Sequence, residues 1–247
     1  MDTQSFVLLS HEQALRRRMD VAANNIANSS TVGFKSEQPV FHEYVERVRE
    51  APVEDARKTS FVLDFGAVHD TAQGAFQATG NPLDVMIDGP GYLTVQAGDG
   101  STAYTRAGFI KILANGDLAT SSGHKLLGDN DRPINIPEDQ RGRIAITTDG
   151  TVMGAAGALG RIAVTAFADE TSVSQGGDGM MTGQGGRRLL PKETQLKTGG
   201  VEGSNVQTIV ETTRMIDILR SYQTSARISQ DMDSMRSQAI NSLGRVN

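Results

Sequence analysis

Four histidines, His11, His42, His69 and His124, are the side chains best suited to proton transfer or metal binding near neutral pH. They are scattered through stretches of unlike texture, and each reads as a surface or interface residue rather than a ligand. Asp129-Asn130-Asp131 opens like a calcium loop, but Pro133 and Ile134 stand where further oxygen ligands should follow. Asp64, Asp70 and Asp84 would serve as an acid and a base if folding brought them together. Their settings read instead as turns and strand ends. Glycine-rich dinucleotide or phosphate loops, a nucleophile elbow and a paired-histidine zinc helix are all missing from the sequence. With no cysteine, thiol catalysis, thiolate metal sites and disulfides are excluded. The residues therefore predict no catalytic centre, no metal and no cofactor; the expectation is a protein that is not an enzyme.

Composition narrows the partners. The 247 residues carry a net charge of −5 and no long basic run, which argues against nucleic acid. Phe6-Val7-Leu8-Leu9 is too short for the apolar region of a cleaved signal, and Arg16-Arg17-Arg18 follows it rather than preceding it. No stretch reaches the roughly 20 apolar residues of a membrane helix.

Three textures divide the chain. Residues 3 to 28 lack Gly and Pro, and Leu8, Leu15 and Ala22 recur every seventh position, with Met19 and Ile26 doing the same. So narrow a stripe suits a helix that packs on another helix. Asn24, Asn25 and Asn28 crowd its end, and Ser29 to Gly33 complete a stop signal. From 206 onward a second helix is expected, with Ile218, Tyr222, Ser225, Ile228, Met232, Met235 and Ala239 stepping by three or four. Gly199, Gly200 and Gly203 read as a flexible lead-in, and Ser204 or Asn205 as its N-cap. Asp217/Arg220 and Asp233/Arg236 are spaced for weak pairing on that helix.

The middle reads as antiparallel β structure. Val85–Ile87 and Tyr92–Val95 are short strands around Asp88-Gly89-Pro90-Gly91, and Ala103–Arg106 with Phe109–Ile112 looks like a second pair. Asn115-Gly116 and Asp149-Gly150 predict type I′ hairpins, because both positions tolerate positive φ. Arg161 to Phe167 reads as one strand, and the glycine-rich stretch 174–188 as a mobile or wide turn. Tyr44 to Glu50 is compatible with a short helix, Pro52 to Ser60 with a loop, and Phe61 to Phe65 with extended chain. The fold class is α+β: a mainly antiparallel β domain at 76–200, an extended linker at 31–75, and helices at 1–30 and 205–247 that pair in a coiled-coil-like layer.

Four blocks then resemble a known family. Ala23-Asn24-Asn25-Ile26-Ala27-Asn28 with Ser29 to Lys35 is similar to the N-terminal signature of flagellar rod and hook proteins. Thr79-Gly80-Asn81-Pro82-Leu83-Asp84-Val85 with Ile87-Asp88-Gly89 resembles their second block. Tyr104-Thr105-Arg106-Ala107-Gly108 with Asn115-Gly116-Asp117-Leu118 resembles a third, and Gly203-Ser204-Asn205-Val206 with Met215-Ile216 and Tyr222 the last. Ile26 and Val32 depart from the usual Leu and Pro. The blocks fall in the family's order and cover most of the chain. The short spacing between Lys35 and Thr79 resembles the proximal-rod members, with distal-rod or hook-type members as the alternative.

The resemblance implies a structural subunit of the flagellar basal-body rod, in the periplasm, exported by the flagellar apparatus without a cleaved signal. Its partners would be other rod proteins and further copies of itself in a helical polymer. The candidate assembly residues are Leu8, Leu15, Met19, Ala22 and Ile26 on one helix and Ile218, Tyr222, Met232 and Met235 on the other. Asn24, Asn25 and Asn28 either fix register through hydrogen bonds or simply end the helix; both readings stand. Gly33 is expected in a backbone conformation other residues avoid. A secreted β-domain binding module and a periplasmic hydrolase are the competing classes.

Overall fold

The computed structural model describes residues 3–47, 58–168, 173–176 and 180–243. The chain forms two compact units, one of residues 1–27, 37–68 and 207–247, the other of residues 28–36 and 69–206.

The first unit contains both long helices. α1 runs Thr3–Ala27 and α2 runs Thr208–Leu243. Neither has an internal Gly or Pro, so nothing interrupts the backbone ladder until residues that cannot continue it. Between them in sequence, β1 (Glu37–Arg47) and β2 (Lys58–His69) pair as a two-stranded sheet. Much of the stretch read as a linker is therefore paired strand. Tyr44 to Arg47, read as the start of a helix, is the end of β1. Residues 48–57, on which the rest of the helix reading and most of the Pro52 to Ser60 loop reading fall, lie outside the described residues, and Lys58 to Ser60 is strand, the start of β2. Phe61 to Phe65 is extended, within β2.

The second unit is built of short strands. In chain order they are β3 (Phe76–Ala78), β4 (Val85–Ile87), β5 (Tyr92–Gln96), β6 (Thr102–Thr105), β7 (Ile110–Ile112), β8 (Leu118–Thr120) and β9 (Lys125–Leu126), then β10 (Ala145–Ile146), β11 (Thr151–Gly154), β12 (Gly157–Arg161), β13 (Val164–Ala166), β14 (Val173–Gln175), β15 (Met181–Gly183), β16 (Arg187–Arg188), β17 (Leu196–Thr198) and β18 (Gly200–Glu202). The main sheet runs β14-β15-β6-β5-β9-β8-β7, with β13 bridging β5 and β16. β10-β11-β12 forms a separate sheet, and β17-β4 and β18-β3 are pairs. The strands of this unit pair antiparallel, for example Leu93↔Thr105 and Val95↔Ala103.

Local spacing misleads about which strands pair. β4 joins β17, not the adjacent β5, and β6 joins β5 and β15, while β7 joins β8. Arg161 to Phe167 is two strand segments broken at Ile162-Ala163. The glycine-rich stretch supplies β15 and β16, with Met180 and Met181 buried. Gly199 to Gly203 is no loose lead-in either. Gly200–Glu202 is β18, and a Cβ on Gly200 would lie 2.5 Å from the Phe76 ring and 2.4 Å from Gln77 O. Glycine here permits close approach of strands rather than motion.

The turns share one design. In the five-residue turns beginning at Ala97, Leu113, Thr120, Gly128 and Thr147, the first N–H donates to the fifth carbonyl, and the fourth N–H donates to the first carbonyl. Only the fourth residue has positive φ: Gly100, Gly116, Gly123, Asp131 and Gly150. This is a type I turn closed by a left-handed residue, not type I′. The third residue often locks it. Asp99, Asn115, Asn130 and Asp149 each accept the N–H two residues on. The calcium-like Asp129-Asn130-Asp131 is one of these turns. Its carboxylates face guanidinium groups: Arg161 Nε donates to Asp129 Oδ2 at 2.6 Å, and Arg188 pairs with Asp131. Asp70 and Asp84 likewise hold turns, Asp70 accepting Ala72 N–H and Asp84 accepting from Thr79 and Asn81.

The core of this unit is dry and continuous. Val95, Leu118, Leu126, Ile136, Val152, Ile162 and Val164 are all at 0% exposure. A smaller cluster sets Phe167 edge-on to Tyr104 (4.9 Å between centroids) and to Tyr92 (6.0 Å), beside Val173 and Met181.

Candidate assembly interface

Residue contacts fix how α1 and α2 run in the first unit. Ser225 Oγ donates to Glu12 Oε1 (3.5 Å), Arg16 Nη2 donates to Tyr222 Oη (3.0 Å), and Asn25 Nδ2 donates to Glu211 Oε2 (3.4 Å). Position falls on α2 as it rises on α1, so the helices are antiparallel. Their seam is short of apolar material. Leu15, Ala22 and Ile218 are buried together, with Met19, Met215 and Tyr222 half-buried against them. The Arg16 guanidinium lies over the Tyr222 ring, 5.7 Å from its centre.

The stripe residues thus divide. Leu15, Met19, Ala22, Ile218 and Tyr222 are brought together within one chain. Leu8 is half-buried and lines a groove with His11, Arg220, Thr224, Ser225 and Ile228. Ile26 and Met232 are half-buried, and Met235 is 59% exposed. Asp233 and Arg236 approach at 3.8 Å, a surface pair of little energetic weight.

The three asparagines behave differently from one another. Asn25 is buried and acts as a piece of backbone. Its Oδ1 accepts Glu37 N–H (2.8 Å), and its Nδ2 donates to Glu37 O (2.9 Å) as well as to Glu211. One side chain thus fixes the first residue of β1 against both helices. Asn24 is exposed. Asn28 belongs to the turn, its carbonyl and Oδ1 accepting from Thr31 N–H and Oγ1, both at 3.1 Å. Gly33 follows with φ +72, where a Cβ would lie 2.4 Å from the carbonyl carbon of Arg106. Both its conformation and its space demand glycine.

In the second unit the chain leaving this turn meets the chain that leads toward α2. Gly33 N–H donates to Glu202 O (2.8 Å) and Asn205 N–H to Phe34 O (3.4 Å). Asn205 is not an N-cap, because α2 begins three residues later. Its Oδ1 accepts Ser36 N–H (2.7 Å), and its Nδ2 donates to Asp70 O and Ala72 O (both 2.9 Å). Ser204 Oγ accepts Val206 N–H. Beneath them Glu202 accepts from Lys35 and Arg106 in a buried ionic cluster. In the sequence Lys35 and Arg106 stand out only as parts of motifs. Their signal is a lone charge in each of three apolar or glycine-rich blocks, Gly33-Phe34-Lys35, Tyr104-Thr105-Arg106 and Val201-Glu202-Gly203.

Large apolar side chains remain on the outer surfaces of the helical unit. Ile209 is 84% exposed, Ile240 69%, and Phe6, Leu9, Ile216, Leu219 and Ile228 are also exposed. Among the described residues no group of acidic, histidine or cysteine side chains could hold a metal ion, and no helix is long and apolar enough to cross a membrane.

Known proteins resemble this chain in sequence. Residues 10–35 match the flagella basal body rod protein family, 86–154 the flagellar hook protein FlgE/F/G D1 domain, and 197–243 the C-terminal region of flagellar basal body rod FlgEFG proteins. The chain is 31% identical to the flagellar basal-body rod protein FlgG of Agrobacterium fabrum over 91% of this chain and 93% of that one. It is 27% identical to FlgF of Salmonella typhimurium over 97% of each. With FlgF of Caulobacter vibrioides it shares 32% identity across the full length of both, and the chain belongs to the flagellar basal-body rod protein family.

Proposed function

We propose that this chain is a structural subunit of the proximal rod, polymerising with other rod proteins and with itself through its terminal helices. The observation that carries the reading is the apolar surface left on the helical unit, above all Ile209, Ile240 and Met235. Each such side chain contributes roughly 1.5–3 kcal/mol when fully buried, a gain the lone subunit forgoes. The α1–α2 pair is a coiled-coil-like building block, and Leu15, Met19, Ala22, Ile218 and Tyr222 make it. Contacts between subunits use what is left over: Leu8 with its groove, Ile26, Met232, Met235 and the exposed isoleucines. Contacts that repeat head-to-tail without closing generate a filament. The subunit reaches the periplasm through the flagellar export apparatus, and folding of the helices is completed on assembly.

Deleting the gene and counting hooks and filaments by electron microscopy tests the role. Loss of flagella, restored by the full chain but not by a chain ending at Gly203, supports an axial subunit that needs α2. Normal flagella in the deletion strain would remove the rod assignment. Ile216→Asp tests the surface: the purified subunit keeps its helical circular dichroism, while complementation is lost.

A further inference from the structure

A single carboxylate gathers chain from four places in the β unit. Glu202 Oε1 accepts from Lys35 Nζ (2.7 Å) and Gly74 N–H (2.9 Å), and Oε2 accepts from Arg106 Nη1 (3.0 Å). Lys35 also donates to Ala72 O (2.7 Å), and Arg106 to Gly89 O (2.8 Å). The guanidinium lies over the Tyr92 ring at 5.3 Å. Glu202 and Lys35 are 1% exposed and Arg106 6%. Two cations thus share one anion out of reach of water.

We propose that this cluster is a latch: closed, it holds residues 33–36 and 202–205 side by side; open, it frees both without unfolding the β core. The two stretches are the stems through which the chain passes to and from α1 and α2. Besides the cluster, the two stretches share two backbone bonds, Gly33 N–H to Glu202 O and the long Asn205 N–H to Phe34 O, and the bond from Ser36 N–H to Asn205 Oδ1. None of the three charged residues belongs to the main apolar cluster, whose strands are paired without them. The stems therefore have a reason to open as a unit of their own, below the cost of global unfolding. The balance of charge gives the latch a signature. Removing Glu202's charge takes from two buried cations the carboxylate they share, whereas removing Lys35 leaves Glu202 and Arg106 paired. An ordinary packing site would respond to lost volume, which Glu202→Gln and Lys35→Met barely change. The latch does not depend on the rod reading; it is a property of the folded β unit.

Hydrogen exchange on the full-length protein tests it. In Glu202→Gln the amides of Gly33, Gly203 and Asn205 exchange faster by about 100-fold, while those of Thr94, Leu118 and Ile162 change less than about threefold. Lys35→Met raises the stem rates by less than about tenfold, and adding it to Glu202→Gln slows the stems again, because one stranded cation is gone. Three results would overturn the latch. One is unchanged stem exchange in Glu202→Gln. Another is equal acceleration of stem and core amides, or failure of that variant to fold, which makes the cluster an ordinary part of the core. The third is a double variant with stems faster than Glu202→Gln alone.

Discussion

The two units solve the problem of burial in opposite ways. In the β unit, seven aliphatic side chains of one cluster have no exposure at all. In the helical unit, 25 and 36 residues of helix bury a seam centred on only Leu15, Ala22 and Ile218. Helices within proteins gain most of their stability from tertiary packing of an apolar face. Among the described residues, the β unit encloses its main apolar cluster, while the helical unit leaves large apolar side chains such as Ile209 and Ile240 exposed. On the proposed rod reading, that split suits a subunit that later joins a polymer, because the exposed apolar residues would then be buried by neighbours.

Equal truncations on the two sides should sharpen the contrast. Leu118→Ala removes a side chain at 0% exposure from a closely packed core, and should lower the unfolding free energy by about 3–4 kcal/mol in urea titration. Leu15→Ala should cost about 2 kcal/mol, with the loss seen in helical circular dichroism and not in the exchange of Thr94 or Leu118 amides. The contrast breaks if Leu15→Ala accelerates exchange in the β strands as much as Leu118→Ala does. Asn25→Ala comes next. It leaves Glu37 N–H and O without their partner side chain, and should cost about 1–2 kcal/mol, again confined to the helical unit.

How much of this was legible in the sequence follows the same division. Period and breakers located α1 and α2 within a few residues, because a long run without Gly or Pro has one local solution. The stripe was legible as a set of positions but not its partner: Leu15, Ala22 and Ile218, expected among the assembly residues, pack together within one chain. Strand pairing was not. β4 chooses β17 across more than a hundred residues, and no local pattern around Val85–Ile87 encodes that. The turns were half legible: Asn115-Gly116 marked the place, yet the geometry took positive φ only at Gly116, and Asp131 did the same work without a glycine. Asn205 was misread because a cap and a cross-chain clamp ask for the same side chain. Lys35, Arg106 and Glu202 stayed hidden because a charge in a motif looks exposed until its partners, far away in sequence, are in view.

The smallest effect concerns a turn carboxylate and the response of the β unit to acid. Asp117 accepts from Asn135 Nδ2 (2.8 Å), from Lys125 Nζ (2.9 Å) and from Asn115 Nδ2 (2.8 Å). The bond from Asn135, followed by Lys125 and Asn115, holds its pKa below the ordinary value of 3.8 against the opposing effect of burial. A depressed carboxylate pKa means that the unfolded chain takes up the proton first as pH falls. The stabilisation is therefore complete well above 3.8 and disappears as pH drops through the lower folded value. Asp117→Asn should thus be less stable than the native chain at pH 7, and the gap in urea midpoint should close in strong acid. Asp117, Asn115, Lys125 and Asn135 all lie in the β unit, so helical circular dichroism of the two proteins should stay superimposable across the same range. A gap that persists unchanged below the folded value would mean that the substituted amide disrupts the turn by shape, and that the charge of Asp117 contributes nothing.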